Sequence, residues 1–301
     1  MPPVTKSTND NLPNWVWGLI AVLSAGAFVL GLNIPFVGPD EPRYAQVGRE
    51  MFLTGDLITP RLAGYHWFGD WGRDTFIALP GLARLTGRHD VAREVLRSWA
   101  RAVSQGMLPN RFPDSGAPLG EGDFNTIDAT LWFVRAIGEI DALGGAPRGT
   151  ELSKELWPAV NAIVDAHLTG TRHGIGMDPT DGLLRTSDGQ LTWMDARVDG
   201  EDQTPRAGKP VEVNALWIHA LDRAVTWARA AGDTLTATRY KAALDLAMRS
   251  FPARFWWAGT GPGAHGIVGT GGYLFDCIDG PNGNDASLRP NQVIEIGRAH
   301  V

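Results

Sequence analysis

Acidic side chains stand beside aromatic ones in several short segments of this 301-residue chain. The segments Trp67–Asp74, Asp123–Asp128 and Leu191–Ala196 read WFGDWGRD, DFNTID and LTWMDA. A carboxylate accepts paired hydrogen bonds from adjacent hydroxyls, and an indole ring covers the apolar face of a sugar. A carboxyl group of raised pKa can also protonate a glycosidic oxygen. The combination therefore favours a carbohydrate site.

Most of these side chains also have a purely structural interpretation. Asp74 precedes a predicted helix and Asp128 begins one, so N-capping accounts for either equally well. Glu212 falls in the first turn of another predicted helix, where the macrodipole stabilises an acid. Core packing is the alternative for part of the 12 tryptophans. Asp195 has no such alternative, because the glycine and proline that follow it argue against a helix there.

Composition excludes several other classes of function. The net charge is −6 and no long basic run occurs, so we expect no nucleic-acid partner. Cys277 is the single cysteine of the sequence, which excludes an intrachain disulfide and a cysteine-based zinc site. The 7 histidines show neither HxxxH nor HxH spacing. We therefore expect no metal and no other cofactor.

The first 62 residues differ in character from the rest. No charged residue occurs in Leu12–Gly38, and residues 15–37 are long and apolar enough to cross a bilayer as a helix. We interpret them as an N-terminal transmembrane helix. A cleaved signal peptide is a weaker alternative, because the apolar stretch is too long and only Lys6 and Asp10 carry charge before it. A buried helix is the third interpretation.

Helical periodicity dominates after residue 63. Residues 89–106 place Trp99 on an apolar face opposite arginines, which predicts an amphipathic helix that ends at Gly106. Similar patterns predict helices at Thr75–Thr86, Thr126–Leu143, Glu151–Leu168, Val211–Ala231 and Thr234–Phe251. No strand-type alternation recurs between them, so a βαβ architecture is disfavoured. Paired helices with acid-bearing loops indicate an all-α fold, either an α/α toroid or a bundle.

Six strings occur in a specific order: AGYHWFGDWGRDTFIALPGL, GMLPNRFPDSG, NTIDATLWF, GLLRTSDGQLTWMDARV, TPRAGKPVEVNALW and DGPNGNDASLRPNQ. In this order they resemble the amylo-α-1,6-glucosidase domain of glycogen-debranching enzymes, from Gly64 to Gln292. The resemblance implies an (α/α)6 toroid in the cytoplasm. It also implies an α-glucan or oligosaccharide substrate, glycogen limit dextrin or a relative, whose α-1,6-linked glucose is hydrolysed with inversion.

The resemblance also implies roles for individual residues. Asp195 corresponds to the general acid of the family, and Arg73 and Asp74 correspond to the pair that holds the hydroxyls of the terminal glucose. The other matched positions are expected to bind the substrate: Trp71 and Trp193 as walls, and Asn125, Asp128 and Glu212 as polar contacts.

The two ends depart from this pattern. In the family the catalytic base is a glutamate in a tryptophan-rich string well beyond RPNQ, whereas this chain continues from Val293 as VIEIGRAHV and stops. We therefore expect an incomplete toroid over residues 63–292, with hydrolysis impaired by truncation before the base. We hypothesise that residues 293–301 are a non-native tail.

The N-terminal segment carries a second resemblance. The string GPDEPRYAQVGREMFLTGDLITPRL resembles the first extracytoplasmic loop of membrane glycosyltransferases that use polyprenyl-phosphate sugars, of the aminoarabinose-transferase type. That resemblance would place Asp40 and Glu41 in an active site. Such enzymes need many further spans, and no second apolar run of that length follows Val37. Because the character changes near Leu62 without a linker, we hypothesise that residues 1–62 are a chimeric addition.

Three functions stay open at this point. The first is a glycoside hydrolase with Asp195 as acid. The second is a non-catalytic carbohydrate-binding remnant, and the third is a fragment of a membrane glycosyltransferase. The larger segment implies a cytoplasmic protein, whereas residues 15–37 imply a membrane anchor.

Overall fold

A computed structural model describes residues 71–113, 117–143, 151–187, 190–258 and 272–296. The predicted span at residues 15–37, the pair Asp40 and Glu41, and residues 297–301 of the predicted tail lie outside these ranges. Within the described ranges, no helix has both the length and the apolar character needed to cross a membrane.

The described residues are mostly helical. The α-helices are α1 (Gly72–Thr86), α2 (His89–Ala100), α3 (Asp128–Leu143), α4 (Glu151–Thr169), α5 (Val211–Ala230), α6 (Thr234–Phe255) and α7 (Asn291–Ile296). Short 3-10 turns occur at Glu121–Asp123 and Arg172–Gly174. Six helices predicted from the apolar spacing are thus confirmed as α1 to α6.

The predicted end of the second helix was wrong. The helix ends at Ala100 and not at Gly106, because the chain tightens through a bond of 2.9 Å from the Ala102 amide to the Trp99 carbonyl. It then reverses at Gln105 and Gly106, whose φ angles are 49° and 74°. Gly106 lies against α4, where a Cβ atom would stand 2.1 Å from the Cβ of Ala166. Tertiary packing therefore sets this boundary.

The helices form two rows. In the inner row α1 packs on α3 and α3 packs on α5, while α2, α4 and α6 pack behind them. The outer helices also contact one another. Arg97 of α2 pairs with Glu155 of α4 at 2.8 Å, and the Tyr240 hydroxyl of α6 donates to Asp165 of α4 at 2.6 Å. Along the chain, the helices thus alternate between the inner and the outer row.

Large aromatic side chains fill the core between the rows. The ring of Phe76 lies 5.0 Å from that of Trp99 and 5.2 Å from that of Phe133, which joins α1, α2 and α3. Between α4 and α5, the rings of His167 and Trp217 stack at 5.9 Å. Burial of one such side chain contributes about 2 to 3 kcal/mol, so these contacts fix how the helices pack.

Short antiparallel strands occupy the connections. They are β1 (Gly176–Met177), β2 (Leu184–Arg185), β3 (Arg197–Val198), β4 (Glu201–Asp202), β5 (Lys209–Pro210), β6 (Trp256–Trp257), β7 (Tyr273–Leu274), β8 (Cys277–Gly280) and β9 (Gly283–Asp285). The pairs are β1 with β2, β3 with β4 and β6 with β7, and β5, β8 and β9 form a three-stranded sheet. The all-α expectation is therefore corrected to a mostly helical fold. Strands this short leave no readable alternation in a sequence.

A buried lysine ties two of these connections together. The ammonium of Lys209 lies 2.9 Å from Asp178, 2.7 Å from Asp181 and 2.9 Å from Asp279. Arg254 of α6 also pairs with Asp279, at 2.7 Å. Because Lys209 is almost fully buried, its charge depends on these carboxylates. The cluster joins the turn after β1 to β5 and β8.

Candidate active site

Backbone hydrogen bonds bring the acid-bearing segments together at the start of the inner helices. The Gly72 amide donates to the Asn110 carbonyl at 2.8 Å, and the Asn110 amide donates to the Asp123 carbonyl at 2.6 Å. The Ile127 amide donates to the Leu191 carbonyl at 2.8 Å. These bonds connect the starts of α1 and α3 with the loop that carries Asp195.

Arg73 lies at the centre of the resulting cluster. Its Nε atom donates to both carboxylate oxygens of Asp128, at 3.0 and 2.8 Å, and its Nη2 atom donates to the Thr126 hydroxyl at 3.3 Å. Its Nη1 atom is 3.7 Å from Oδ2 of Asp195. The exposed fractions of the side chains are 1% for Asp128, 13% for Arg73 and 43% for Asp195. Asp128 is thus an internal partner of Arg73, and Asp195 faces solvent.

Neither Asp74 nor Asp128 serves as the helix cap that their sequence positions also allowed. The N-cap of α1 is Trp71, without a side-chain capping bond, and Asp74 lies in the first turn. At α3 the Thr126 hydroxyl oxygen accepts from the Ala129 amide at 3.3 Å and the hydroxyl donates to Asp128 at 2.7 Å. The carboxylate of Asp128 is therefore left to hold Arg73.

Negative charge exceeds positive charge around Arg73. Partial burial raises the pKa of the Asp74 carboxyl, the carboxylates of Asp128 and Asp195 reinforce the rise, and Arg73 opposes it. Burial opposes the charge of Arg73, but the ion pair with Asp128 outweighs it and raises the pKa of the guanidinium. Three carboxylates near one cation provide acceptors for sugar hydroxyls. Within the described ranges, no group of three or more His, Cys, Asp or Glu side chains is arranged to hold a metal ion.

The two predicted aromatic walls differ in their surroundings. Trp71 is partly buried and pairs with Arg111, whose guanidinium carbon lies 5.6 Å from the centre of the indole ring. Trp193 is 41% exposed, and its Nε1 atom donates to Oδ1 of Asn291 at 2.7 Å. One edge of the Trp193 ring is therefore fixed, while much of the ring faces solvent two residues before Asp195.

Glu212 and Asn125 do not join the Arg73 cluster. Glu212 lies in the first turn of α5 with a side chain only 3% exposed, and both of its oxygens accept from Arg206, Oε2 at 2.6 Å. Asn125 is exposed beside Thr126 and, among the described residues, makes no hydrogen bond to the cluster. Contact of either residue with a substrate stays a prediction.

Sequence reasoning missed the buried charges beneath the Asp195 loop. Arg206 Nε donates to Asp276 at 2.9 Å, and Arg206 Nη1 donates to the Thr192 hydroxyl at 3.4 Å. Burial opposes the charge of Arg206, but its hydrogen bonds to Glu212 and the charges of Glu212 and Asp276 outweigh this effect and raise the pKa of the guanidinium. Arg206 and Asn291 both lie in the strings that carry the family resemblance. No spacing rule connects either of them with residue 276.

The profile of the family described as Amylo-alpha-1,6-glucosidase matches residues 54–300, which extends past the predicted domain at both ends. The glycogen debranching enzyme of Saccharomyces cerevisiae is 34% identical over 90 residues, which cover 28% of this chain and 6% of that enzyme. The undecaprenyl phosphate-alpha-4-amino-4-deoxy-L-arabinose arabinosyl transferase 2 of Pseudomonas fluorescens is 37% identical over 67 residues, or 21% of this chain and 11% of the transferase. This chain therefore corresponds to a small part of either relative.

Two solved structures superpose on part of this chain. A rhamnosidase from Klebsiella oxytoca with rhamnose bound superposes with a TM-score of 0.48 at 20% identity, over 68% of this chain and 39% of that one. A bacterial glucoamylase complexed with acarbose gives 0.48 at 16% identity, over 72% and 26%. The family profile covers far more than half of the 301 residues, and the chain therefore belongs to the amylo-alpha-1,6-glucosidase family.

Proposed function

We propose that this chain binds the terminal glucose of an α-glucan and carries the general acid of an inverting glycosidase. The substrate is α-1,6-linked glucose on glycogen limit dextrin or a related oligosaccharide. The observation that carries the proposal is the meeting of Asp195, Arg73 and Asp128 at the start of α1 and α3. Family membership supports the reaction type. The two rows of helices support part of an (α/α)6 toroid, with the site at one end of the inner row.

Asp195 is placed to act as the acid. Its carboxyl group is exposed, so a glycosidic oxygen can approach it within hydrogen-bonding distance. When the proton moves to that oxygen, the bond to the anomeric carbon breaks and a carboxylate remains. Arg73, 3.7 Å away, stabilises this new charge. An inverting reaction also needs a carboxylate base about 6.5–9.5 Å from the acid, which activates water on the opposite face of the sugar. Turnover depends on such a base being present.

Arg73 and Asp74 bind the glucose hydroxyls in this proposal. The guanidinium of Arg73 donates hydrogen bonds, and Asp128 fixes its orientation from below. The carboxyl group of Asp74 lies in the first turn of α1 and is partly exposed, so it can accept from an incoming hydroxyl. Trp71 and Trp193 cover the apolar faces of the sugar. Asn125 extends the polar rim, whereas Glu212 acts indirectly by holding Arg206.

Glucose release from isomaltose-type and branched oligosaccharides tests the acid. We expect Asp195→Asn to lower release by about 100-fold or more, because general acid catalysis contributes that much, while sugar affinity stays nearly unchanged. Asp199→Asn is the matched control, since Asp199 is an exposed aspartate later in the same loop. Unchanged release in Asp195→Asn removes the residue from this role.

Two further readouts separate the alternatives. If the full chain binds these sugars without releasing glucose, the non-catalytic carbohydrate-binding function replaces the catalytic one. If glucose is released, proton NMR of the first product identifies the stereochemistry. Inversion of an α-linkage gives β-glucose first, and α-glucose as the first product contradicts the inverting mechanism.

A further inference from the structure

Asn291 connects a buried carboxylate with an exposed indole. Its Nδ2 atom donates to Oδ1 of Asp276 at 2.6 Å, and its Oδ1 atom accepts from Nε1 of Trp193 at 2.7 Å. Asn291 and Asp276 are both fully buried, whereas Trp193 is largely exposed. The amide thus spans the distance from the interior to the surface of the candidate site.

Chemistry fixes the orientation of this amide. An indole nitrogen only donates, and an ionised carboxylate only accepts. A side chain between them must present one acceptor and one donor, which an asparagine amide does in a single orientation. Both bonds are shielded from water on the Asn291 side, and this strengthens them.

The carboxylate end of this connection is itself firmly held. Oδ2 of Asp276 accepts from Arg206 Nε at 2.9 Å and from Arg289 Nη1 at 2.6 Å. The Asp276 amide donates to the Asp285 carbonyl at 2.8 Å. Arg206 also donates to the hydroxyl of the residue before Trp193. Nδ2 of Asn291 also donates to Sδ of Met194 at 3.4 Å. The loop that carries Asp195 is therefore attached to the same buried cluster at three consecutive residues, Thr192, Trp193 and Met194.

We propose that Asn291 is a positioning residue, which fixes the indole of Trp193 and through it the loop that carries Asp195. A second consequence concerns the ligand. Because the Trp193 N–H is already donated to Asn291, the indole contacts a sugar through its ring face and not through a hydrogen bond. The part of this inference that concerns the acid rests on the proposed function, while the attachment of Trp193 does not.

NMR of the full chain labelled with ¹⁵N-tryptophan tests the attachment without any sugar. Loss of one indole signal in Trp193→Phe assigns the Trp193 resonance. We expect Asn291→Ala to shift this signal and to speed its hydrogen exchange by about fivefold, the factor that corresponds to one hydrogen bond. Asn284→Ala is the control, because Asn284 is an exposed asparagine whose side chain accepts from the Asp279 amide at 3.1 Å, far from Trp193 in the sequence. An unchanged Trp193 signal in Asn291→Ala overturns the proposal.

Asn291→Asp keeps the size of the side chain and serves if the alanine variant does not fold. The new carboxyl group takes the place of an amide 2.6 Å from Oδ1 of Asp276, so the two carboxyl groups share one proton at neutral pH. The protonated side chain again offers one donor and one acceptor, and the Trp193 signal should stay near its wild-type position. At alkaline pH the shared proton is lost, and we expect the signal to move. The charged groups around it are Asp276, Arg206 and Arg289. A Trp193 signal that responds to alkaline pH no more than that of the wild type contradicts the proposed role.

Activity separates this inference from the function on which part of it rests. Where glucose is released, Asn291→Ala and Trp193→Phe should lower kcat to a similar degree, and the double variant should be no slower than either. Additive losses overturn the link through Trp193. If no sugar binds but the NMR response is as expected, the proposed function fails and the attachment of Trp193 stands.

Discussion

Substitution of Asp128 by asparagine removes the buried partner of Arg73. Asp128 is 1% exposed and accepts Arg73 Nε at 3.0 and 2.8 Å. Loss of one partner from a buried ion pair costs about 3–5 kcal/mol, and a hydrogen bond to a charged group contributes about 1.5–3 kcal/mol. Arg73 retains Asp195 at 3.7 Å, and the new amide retains one acceptor oxygen. We therefore expect Asp128→Asn to lower the free energy of unfolding by about 2–3 kcal/mol, near the lower of these ranges.

Urea unfolding followed by circular dichroism measures this loss. Asp141→Asn is the matched control, because Asp141 is a buried aspartate on the same helix that accepts from the neutral Ser153 amide at 3.1 Å. We expect the control to lose about 1 kcal/mol. Equal losses in the two variants would refute the assignment of Asp128 as a charged partner of Arg73.

Sugar titration provides the second half of the same experiment. Without Asp128 the guanidinium of Arg73 is free to turn toward Asp195, so Asp128→Asn should weaken oligosaccharide binding by about 10-fold or more, the equivalent of one misplaced charged hydrogen bond. Asp141→Asn should bind as wild type does. A destabilised Asp128→Asn protein with unchanged affinity would show that Arg73 does not contact the sugar.

Three further predictions concern the scaffold. Burial lowers the pKa of His167 from 6.5 to about 4, so between these values the unfolded chain gains a proton that the folded state does not bind. From pH 7 to pH 4 the wild type should therefore lose about 3 kcal/mol of unfolding free energy relative to His167→Gln. Urea unfolding at several pH values measures this difference, and parallel pH profiles of the two proteins would contradict it. Gly106→Ala should lower the free energy of unfolding by about 2–3 kcal/mol, since φ is 74° and the new Cβ atom would stand 2.1 Å from that of Ala166. Gly87→Ala should lower it by about 1 kcal/mol, because its φ is 68° but the space around it is open. Thermal unfolding compares the two variants, and equal shifts in their melting temperatures would contradict this explanation. Lys209→Met leaves three carboxylates facing one another without the ammonium group, so it should lower the free energy of unfolding by about 3–5 kcal/mol at pH 7. The loss should be smaller near pH 4, where these carboxylates of the variant gain protons. A loss of stability that does not depend on pH would show that packing, and not charge, is responsible.

The helices were predictable because their signal is local. The apolar spacing of α3 and α5 repeats within a few turns, and their predicted ends lie within two residues of the observed ones. The end of α2 was not predictable in this way. It depends on Gly106 packing against α4, a contact with residues about 60 positions later in the chain.

The site was predictable where the residue types themselves suggest sugar chemistry. Arg73, Asp128 and Asp195 lie in segments that combine acids with aromatic rings, and the structure brings these residues together. The pairing of Glu212 with Arg206 was not predictable from the sequence. A carboxylate is rarely buried unless it is paired, and no spacing rule identifies an arginine on the preceding loop as its partner. Asn291 lies in a string that carries the resemblance, but its role was not predictable, since its partners Asp276 and Trp193 lie 15 and 98 positions before it in the chain.

Because a protein is synthesised from its N-terminus, residues that are far apart in the sequence become available for contact at different times. The residues of the pairs Arg73 with Asp128, Arg206 with Asp276 and Trp193 with Asn291 are 55, 70 and 98 positions apart. At translation rates of roughly 5–20 residues per second, Trp193 is made about 5–20 seconds before the residue that holds it. During that interval the nascent chain carries an indole whose amide partner does not yet exist, whereas Arg206 already has a carboxylate partner in Glu212. Helix docking can begin early, but the attachment of the loop at Trp193 is completed only when Asn291 has been made.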